Sequence, residues 1–243
     1  MAATIRIGTS GWHYDSWRGP FYPPGTAIKG QFAYYATRFS TTEINNSFYR
    51  LPSEAAVASW REAAPHGFVF AWKASRFITH FKRLKECEDS IALVFGRMDG
   101  LGESFGPVLF QLPPQFKPDR ERLAGFLDLL PKSRRIAFEF RDPGWYAADI
   151  LDLLRAHDVS LCLSDHAHAP APWEVTASFV YVRPHGPGGR YAGSYDDATL
   201  RGWARTMHGW QDEGRDVFCY FDNDQKSAAP FDAERLIGFV EGA

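Results

Sequence analysis

Eight times along the 243 residues a short apolar run ends in a polar or charged side chain. The runs occupy residues 5–10, 42–45, 68–73, 108–111, 135–141, 159–165, 179–185 and 217–223. Each is too short for a core helix, and several are apolar almost throughout, as strands buried on both faces are. The segments between them carry a different period. Residues 29–39 place Phe32, Tyr35, Ala36 and Phe39 at helical spacing, and residues 53–63 open on Ser53, an N-cap residue that follows Pro52. Further helices are predicted at 88–101, 118–130, 145–157, 196–209 and 230–240. Strands alternating with helices predict an α/β fold, a single TIM-type (β/α)8 barrel spanning residues 1–243. It is expected to be irregular between strands six and seven, because residues 167–177 show no helical period.

A strand buried on both faces has no reason to end in charges unless its tip lines a site, and barrels build their sites at the C-terminal ends of the strands. Side-chain alternation predicts which tips point into the mouth. Strand two gives Glu43 and Asn45; strand three gives Val69, Ala71 and Lys73; strand four gives Leu109 and Gln111. Strand five gives Ala137, Glu139 and Arg141; strand seven gives Tyr181, Arg183 and His185; strand eight gives Cys219, Phe221 and Asn223. The mouth is therefore expected to hold the carboxylates Glu43 and Glu139, with Asp165 as a third, and the cations Lys73, Arg141 and Arg183. Two carboxylates in unlike surroundings can divide acid and base roles. Three cations can hold a phosphate or carboxylate. The bland alternative is a charge-paired plug in which nothing reacts.

Other segments offer weaker signals. Residues 73–85 are basic with interleaved aromatics, which suits an anionic polymer or a solvated loop. Trp12, His13, Tyr14, Trp17, Phe48 and Tyr49 follow the first two strands and could stack on a ring or pack loop on loop. His166 and His168 would share a side of an extended segment, but the motif is short and no metal is assigned to it. Asp222, Asn223 and Asp224 suit a turn or a hydroxylated ligand. The glycine-rich stretch 186–189, with Arg183 and Arg190 beside it, stands where barrels often bind phosphate. No P-loop, GxGxxG, HExxH or GxSxG motif occurs.

A formal net charge of -2 argues against a protein that coats nucleic acid generally. Cys87, Cys162 and Cys219 form no CxxC pair and read as reduced core thiols. A first strand near Ile5 leaves no room for a signal peptide, and no run approaches the ~20 apolar residues of a membrane span. The expected location is the cytoplasm.

Several segments together resemble the YecE-like family, the domain of unknown function numbered seventy-two. They are residues 8–12, 43–49, 78–80, 106–114, 138–141, 181–186 and 221–224, in order over nearly the whole chain. The resemblance implies a TIM-type barrel but no established reaction. Barrels of this kind have been likened to the endonuclease IV and xylose-isomerase group, which holds divalent metals on Glu, Asp and His. Here the corresponding tips carry Lys73, Gln111, Arg141 and Arg183, and cations repel a metal cluster.

The sequence thus reads as a metal-independent enzyme of hydrolase or lyase type, without cofactor, acting on an anionic or sugar-like small molecule. Glu139 and Glu43 are expected to do acid and base work with His185 as a proton shuttle. Lys73, Arg141, Arg183, Asn45, Gln111, Asn223, Trp12, Tyr49, His80 and Asp165 are expected to bind the substrate. The rival readings are a nucleic-acid-binding protein or an endonuclease IV-like metal-dependent nuclease, and a non-catalytic anion-binding barrel.

Overall fold

The computed structural model describes residues 2–242. Eight strands alternate with α-helices in chain order: β1 Ile5–Thr9, α1 Ile28–Tyr35, β2 Thr41–Ile44, α2 Glu54–Ala63, β3 Val69–Lys73, α3 Glu88–Met98, β4 Phe105–Gln111 and α4 Arg120–Leu129. There follow β5 Ile136–Glu139, α5 Ala148–Ala156, β6 Ser160–Ser164, β7 Phe179–Arg183, α6 Asp197–Asp212, β8 Asp216–Phe221 and α7 Ala228–Glu241. All ladders are parallel, in the order β1-β8-β7-β6-β5-β4-β3-β2. This is the expected TIM-like α/β barrel. Ser53 caps α2 as its position predicts, accepting from the Ala56 amide at 3.2 Å.

The barrel closes at the β1–β2 seam with little ladder. Ser10 and Glu43 form a single bridge, and the Gly11 amide donates to the Glu43 carbonyl at 2.8 Å. Tyr35 of α1 does the rest. Its hydroxyl accepts from the Thr9 amide at 3.0 Å and donates to the Thr41 carbonyl at 3.0 Å. Gly8 permits this approach, since a Cβ there would lie 2.2 Å from the Thr41 carbonyl oxygen.

No α-helix links β6 to β7, and this is where the absent helical period pointed. The segment is held by substitutes for a helix. Thr176 Oγ1 donates to the Val159 carbonyl and accepts from the Leu161 amide, both at 2.7 Å, and Trp173 stacks on Trp210 of α6.

Two apolar layers account for the high aromatic content. The outer one, between strands and helices, includes Phe110 stacked on Phe138 and Phe140 stacked on Trp145. The inner one fills the barrel with Ala71, Leu109, Ala137, Cys162, Phe179, Tyr181, Phe218 and Tyr220. Side chains from β3 through β8 thus plug the bore below the mouth. Cys87, Cys162 and Cys219 are free and buried. Among the described residues no helix is long and apolar enough to cross a membrane.

The inner layer corrects the predicted facing of β8. Phe218 and Tyr220 point inward, while Cys219 and Phe221 belong to the outer layer. Asp222 therefore enters the mouth and Asn223 does not. The Asn223 amide donates to the Gly193 carbonyl and to Asp232 Oδ2 of α7, each at 2.8 Å.

Candidate functional site

At the top of the bore Arg183 is fully buried and lies among three carboxylates. Its Nε and Nη2 donate to the two oxygens of Glu43 at 3.1 and 2.8 Å. Nη1 donates to Glu139 Oε2 at 2.8 Å, and Nη2 also reaches Asp222 Oδ2 at 2.9 Å and Ser10 Oγ at 3.0 Å. Glu43 is saturated, since Ser10 Oγ at 2.5 Å and Tyr181 OH at 2.7 Å fill its remaining acceptor positions. The guanidinium occupies the centre of the three carboxylates. Among the described residues there is no group of three or more His, Cys, Asp or Glu side chains arranged to hold a metal ion.

Above this plug the charges are less completely paired. Arg141 follows β5 and is 5% exposed. Its Nη2 meets Glu139 Oε1 at 2.5 Å and His185 Nε2 at 3.2 Å, but its Nε and Nη1 are buried without a partner. Such orphan donors are costly inside a protein. Lys73, at the tip of β3, is 7% exposed and has no hydrogen-bond or ion-pair partner among the described residues. Its ammonium sits 4.7 Å from the centre of the Phe48 ring. Burial, reinforced by Arg183, brings its pKa down from the usual 10.5 to about 8, with Asp222, Glu43 and Glu139 opposing.

Glu139 is held well below the usual carboxylate range. Burial pulls the other way, but Arg141 and Arg183 outweigh it. A carboxylate held this firmly as an anion is a poor proton acceptor. His185 Nε2 faces guanidinium nitrogens of both Arg141 and Arg183 at 3.2 Å, so it accepts and the ring proton belongs on Nδ1. That nitrogen lies 3.3 Å from Ser164 Oγ and 3.5 Å from Asp165 Oδ1. His80, half-buried and edge-on to Phe48, is pushed down to about 4 by burial and then by Lys73, Arg76 and Arg141.

The structure thus brings Glu43, Lys73, Glu139, Arg141, Arg183 and His185 together. Gln111 stands beside Glu139 in the β4–β5 register and is half-exposed. The third carboxylate on Arg183 is Asp222, while Asp165 stands behind His185. Ser164 is the inward tip of β6, while Asp165 accepts from the His185 amide at 2.6 Å and from the Tyr195 hydroxyl. In the glycine-rich loop two amides are already engaged. The Gly189 amide donates to the Gly186 carbonyl at 2.7 Å, and the Gly186 amide to Tyr195 OH at 2.6 Å. A Cβ on Gly189 would lie 2.3 Å from the Asp165 carbonyl oxygen, so this glycine serves close packing at a φ of +62°. Arg190 is exposed.

A pocket of about 180 Å³ opens after β1 and β2, lined by Trp12, His13, Tyr14, Asn45, Asn46 and Tyr49 among others but by none of the charged cluster. Trp12 is largely core, packed on Phe32, Trp60 and Phe70. Its Nε1 donor and the Asn45 Oδ1 acceptor are both buried without partners. Tyr49 is 64% exposed and lies under the Arg76 guanidinium, 5.4 Å from its ring centre. Alternation reached neither Ser10 nor Ser164. Ser10 ends its run and Ser164 stands one residue before the end of its own, and that position was their only signal.

Residues 6–243 match the family model described as "Protein of unknown function DUF72". The chain is 34% identical over 114 residues to the UPF0759 protein YecE of Escherichia coli K12, covering 46% of this chain and 42% of that protein. In that match it spans less than half the relative's length. It is 26% identical to the UPF0759 protein YunF of Bacillus subtilis, over 98% of this chain and 95% of that one. A crystal structure of a DUF72 family protein from Thermotoga maritima superposes with a TM-score of 0.88 at 23% identity, covering 98% of this chain and 99% of that chain. One from Enterococcus faecalis gives 0.83 at 20% identity, with 98% and 96% covered. These likenesses bear on the fold.

Proposed function

The chain belongs to the DUF72 family of proteins of unknown function, and from its site we propose a metal-independent enzyme, of hydrolase or lyase type, for a small anionic substrate carrying a ring. The observation that carries the reading is Arg141, buried with two unpaired nitrogens in a mouth whose β3 tip carries Lys73. Donors left unsatisfied in the free protein can be satisfied by a bound anion. The pocket lined by Trp12, Tyr14, Asn45 and Tyr49 supports the ring, since it offers aromatic surface, one free donor and one free acceptor. Arg183 fills the carboxylate triangle, which supports a mechanism without a metal there. Glu43 and Glu139 then act as rigid anions that orient Arg183 and Arg141. Proton transfer falls to Lys73, whose pKa burial brings down to about 8, with His185 in contact with Arg141 and Arg183 as its partner.

Thermal shift and calorimetry with inorganic phosphate, simple carboxylates and sugar phosphates test the reading. A ligand at 100 times its Kd stabilises the folded state by about 2.7 kcal/mol. Arg141→Gln should weaken binding about tenfold or more, the worth of a hydrogen bond to a charged group. If no anion stabilises the protein, or if Arg141→Gln binds like the parent, the reading fails.

One observation favours a second reading. Phe77 and Phe81 are exposed, with Lys82 and Arg76 lying over their rings at 5.5 Å. Aromatic platforms interleaved with cations suit single-stranded nucleic acid. Binding of an oligonucleotide that weakens steeply with salt, and is lost in a Phe77→Ala, Phe81→Ala variant, would favour it.

A further inference from the structure

We propose that Lys73 is a nucleophilic amine that condenses with the carbonyl carbon of a small 2-oxo acid, whose carboxylate rests on Arg141. This deepens the anion reading above and rests on it.

Three observations converge. Lys73 is buried at a strand tip in the mouth of the barrel, yet no carboxylate pairs with it. The three carboxylates nearest the bore are engaged by Arg183 and Arg141, so none neutralises its charge at contact distance. A lysine placed merely to hold structure at 7% exposure would take one of them. Second, its surroundings favour the free amine. Burial and Arg183 act in that direction and outweigh Asp222, Glu43 and Glu139. The His80 ring, also near Lys73, is itself kept neutral. Desolvation beside a second cation is a recognised way to activate a lysine. Third, Lys73 ends β3 and Arg141 follows β5, the strands on either side of β4, so both cations belong to one arc of the mouth. Arg141 supplies unpaired donors for a carboxylate, and in a 2-oxo acid the electrophilic carbon is bonded directly to that carboxylate.

The step balances without an oxidant or reductant. The Lys73 Nζ lone pair forms a C–N bond as the carbonyl π pair moves onto oxygen. Proton transfer from nitrogen to oxygen gives a carbinolamine. Loss of that oxygen as water, with one further proton, leaves a protonated imine. The cationic imine is an electron sink for breaking a bond at the adjacent carbon, which agrees with lyase-type chemistry.

Trapping tests the proposal. The whole chain is incubated with pyruvate or glyoxylate and cyanoborohydride, which reduces an imine to a stable secondary amine, and the modified lysines are mapped by mass spectrometry. Lys73 is expected to be labelled at least tenfold faster than any of the other six lysines, with a rate that rises through a pH of about 8. Excess inorganic phosphate should suppress this labelling by competing for Arg141. Lys73→Arg keeps the charge but cannot form the imine, so it should abolish labelling there. Labelling of Lys73 no faster than that of exposed lysines, in a protein still stabilised by phosphate, overturns the amine and leaves the anion site standing. Failure of the anion site shows separately, as the absence of that thermal shift.

Discussion

Replacing Lys73 by Met should stabilise the protein. An ammonium whose pKa falls from the usual 10.5 to about 8 on folding is held charged at a cost. At 1.36 kcal/mol for each pKa unit, that cost is about 3 kcal/mol at pH 7. The Phe48 ring under the ammonium returns about 0.5–1 kcal/mol, and Met keeps most of the apolar stem. A gain of about 2 kcal/mol remains, or about 5 °C in Tm for a chain of this size. The pH dependence identifies the cause. Below about pH 8 the amine is protonated in both folded and unfolded states, so the cost is fully present. Between about 8 and 10.5 the unfolded chain binds more protons than the folded one, so parental stability rises with pH. The variant lacks that slope, and its advantage should shrink toward zero as pH rises through this window. Urea denaturation of both proteins at pH 7 and at pH 10 measures it, and the other titrating groups cancel in the difference. A variant less stable than the parent at pH 7, or a difference independent of pH, would refute the argument that Lys73 is retained for chemistry at the expense of stability.

Further outcomes follow from the same contacts. Arg183→Met strands three buried carboxylates and should cost about 3–5 kcal/mol in urea denaturation at pH 7. The depressed pKa of Glu139 gives the parent stability that is present above the ordinary carboxylate pKa of about 4.3 and lost as pH falls. In the Met variant acidification should instead relieve repulsion, so an unchanged sign of slope would contradict the arrangement. Tyr35→Phe removes the hydroxyl that joins β1 to β2 and orphans the Thr9 amide, which should cost about 1–3 kcal/mol; a change under about 0.3 kcal/mol would place the closure of the barrel elsewhere. Tyr49→Ala, at an exposed position, should leave stability within about 0.5 kcal/mol. It should bring the affinity for a sugar phosphate down toward that for inorganic phosphate, and equal losses for both would remove Tyr49 from the ring pocket.

The fold was legible because a barrel repeats one pattern eight times, and a single ambiguous run does not upset the count. Residues 167–177 were readable as an interruption for the same reason, since a missing helical period among seven present ones stands out. Facing was legible where a strand alternates. In β5, Ala137 and Glu139 differ from Ile136 and Phe138, and the inward set followed from that contrast. In β8 the run Val217-Phe218-Cys219-Tyr220-Phe221 is apolar on both faces because both are buried, so alternation has nothing to act on and the tip was read one residue late. The useful signal was the Tyr220 hydroxyl, which reaches Thr41 Oγ1 at 2.8 Å inside the bore. Phe221 next to it offers no such polar handle and faces the helices.

What no strand could disclose was the pairing across strands. Lys73, Arg141 and Arg183 read as three equivalent cations, because each ends a run in the same way. Their chemistry diverges through contacts separated by up to 173 residues in the chain, such as Arg183 with Ser10. Arg183 meets three carboxylates and becomes a structural centre; Arg141 meets one and keeps two nitrogens free; Lys73 meets none. The same logic separates the acids. Glu43 and Glu139 are the carboxylates that the sequence points to, yet Arg183 engages both and Arg141 also binds Glu139, which leaves Glu139 a poor proton acceptor. On the proposed function, reactivity in this mouth follows the groups left over once the ion pairs are made. Those leftovers, Lys73 and the free side of Arg141, lie on β3 and after β5, with β4 and Gln111 between them. A ligand that spans them must cross the mouth above Gln111. Gln111→Ala should then weaken the binding of a carboxylate bearing a second polar group more than the binding of phosphate; equal effects on both would mean that Lys73 and Arg141 serve separate sites.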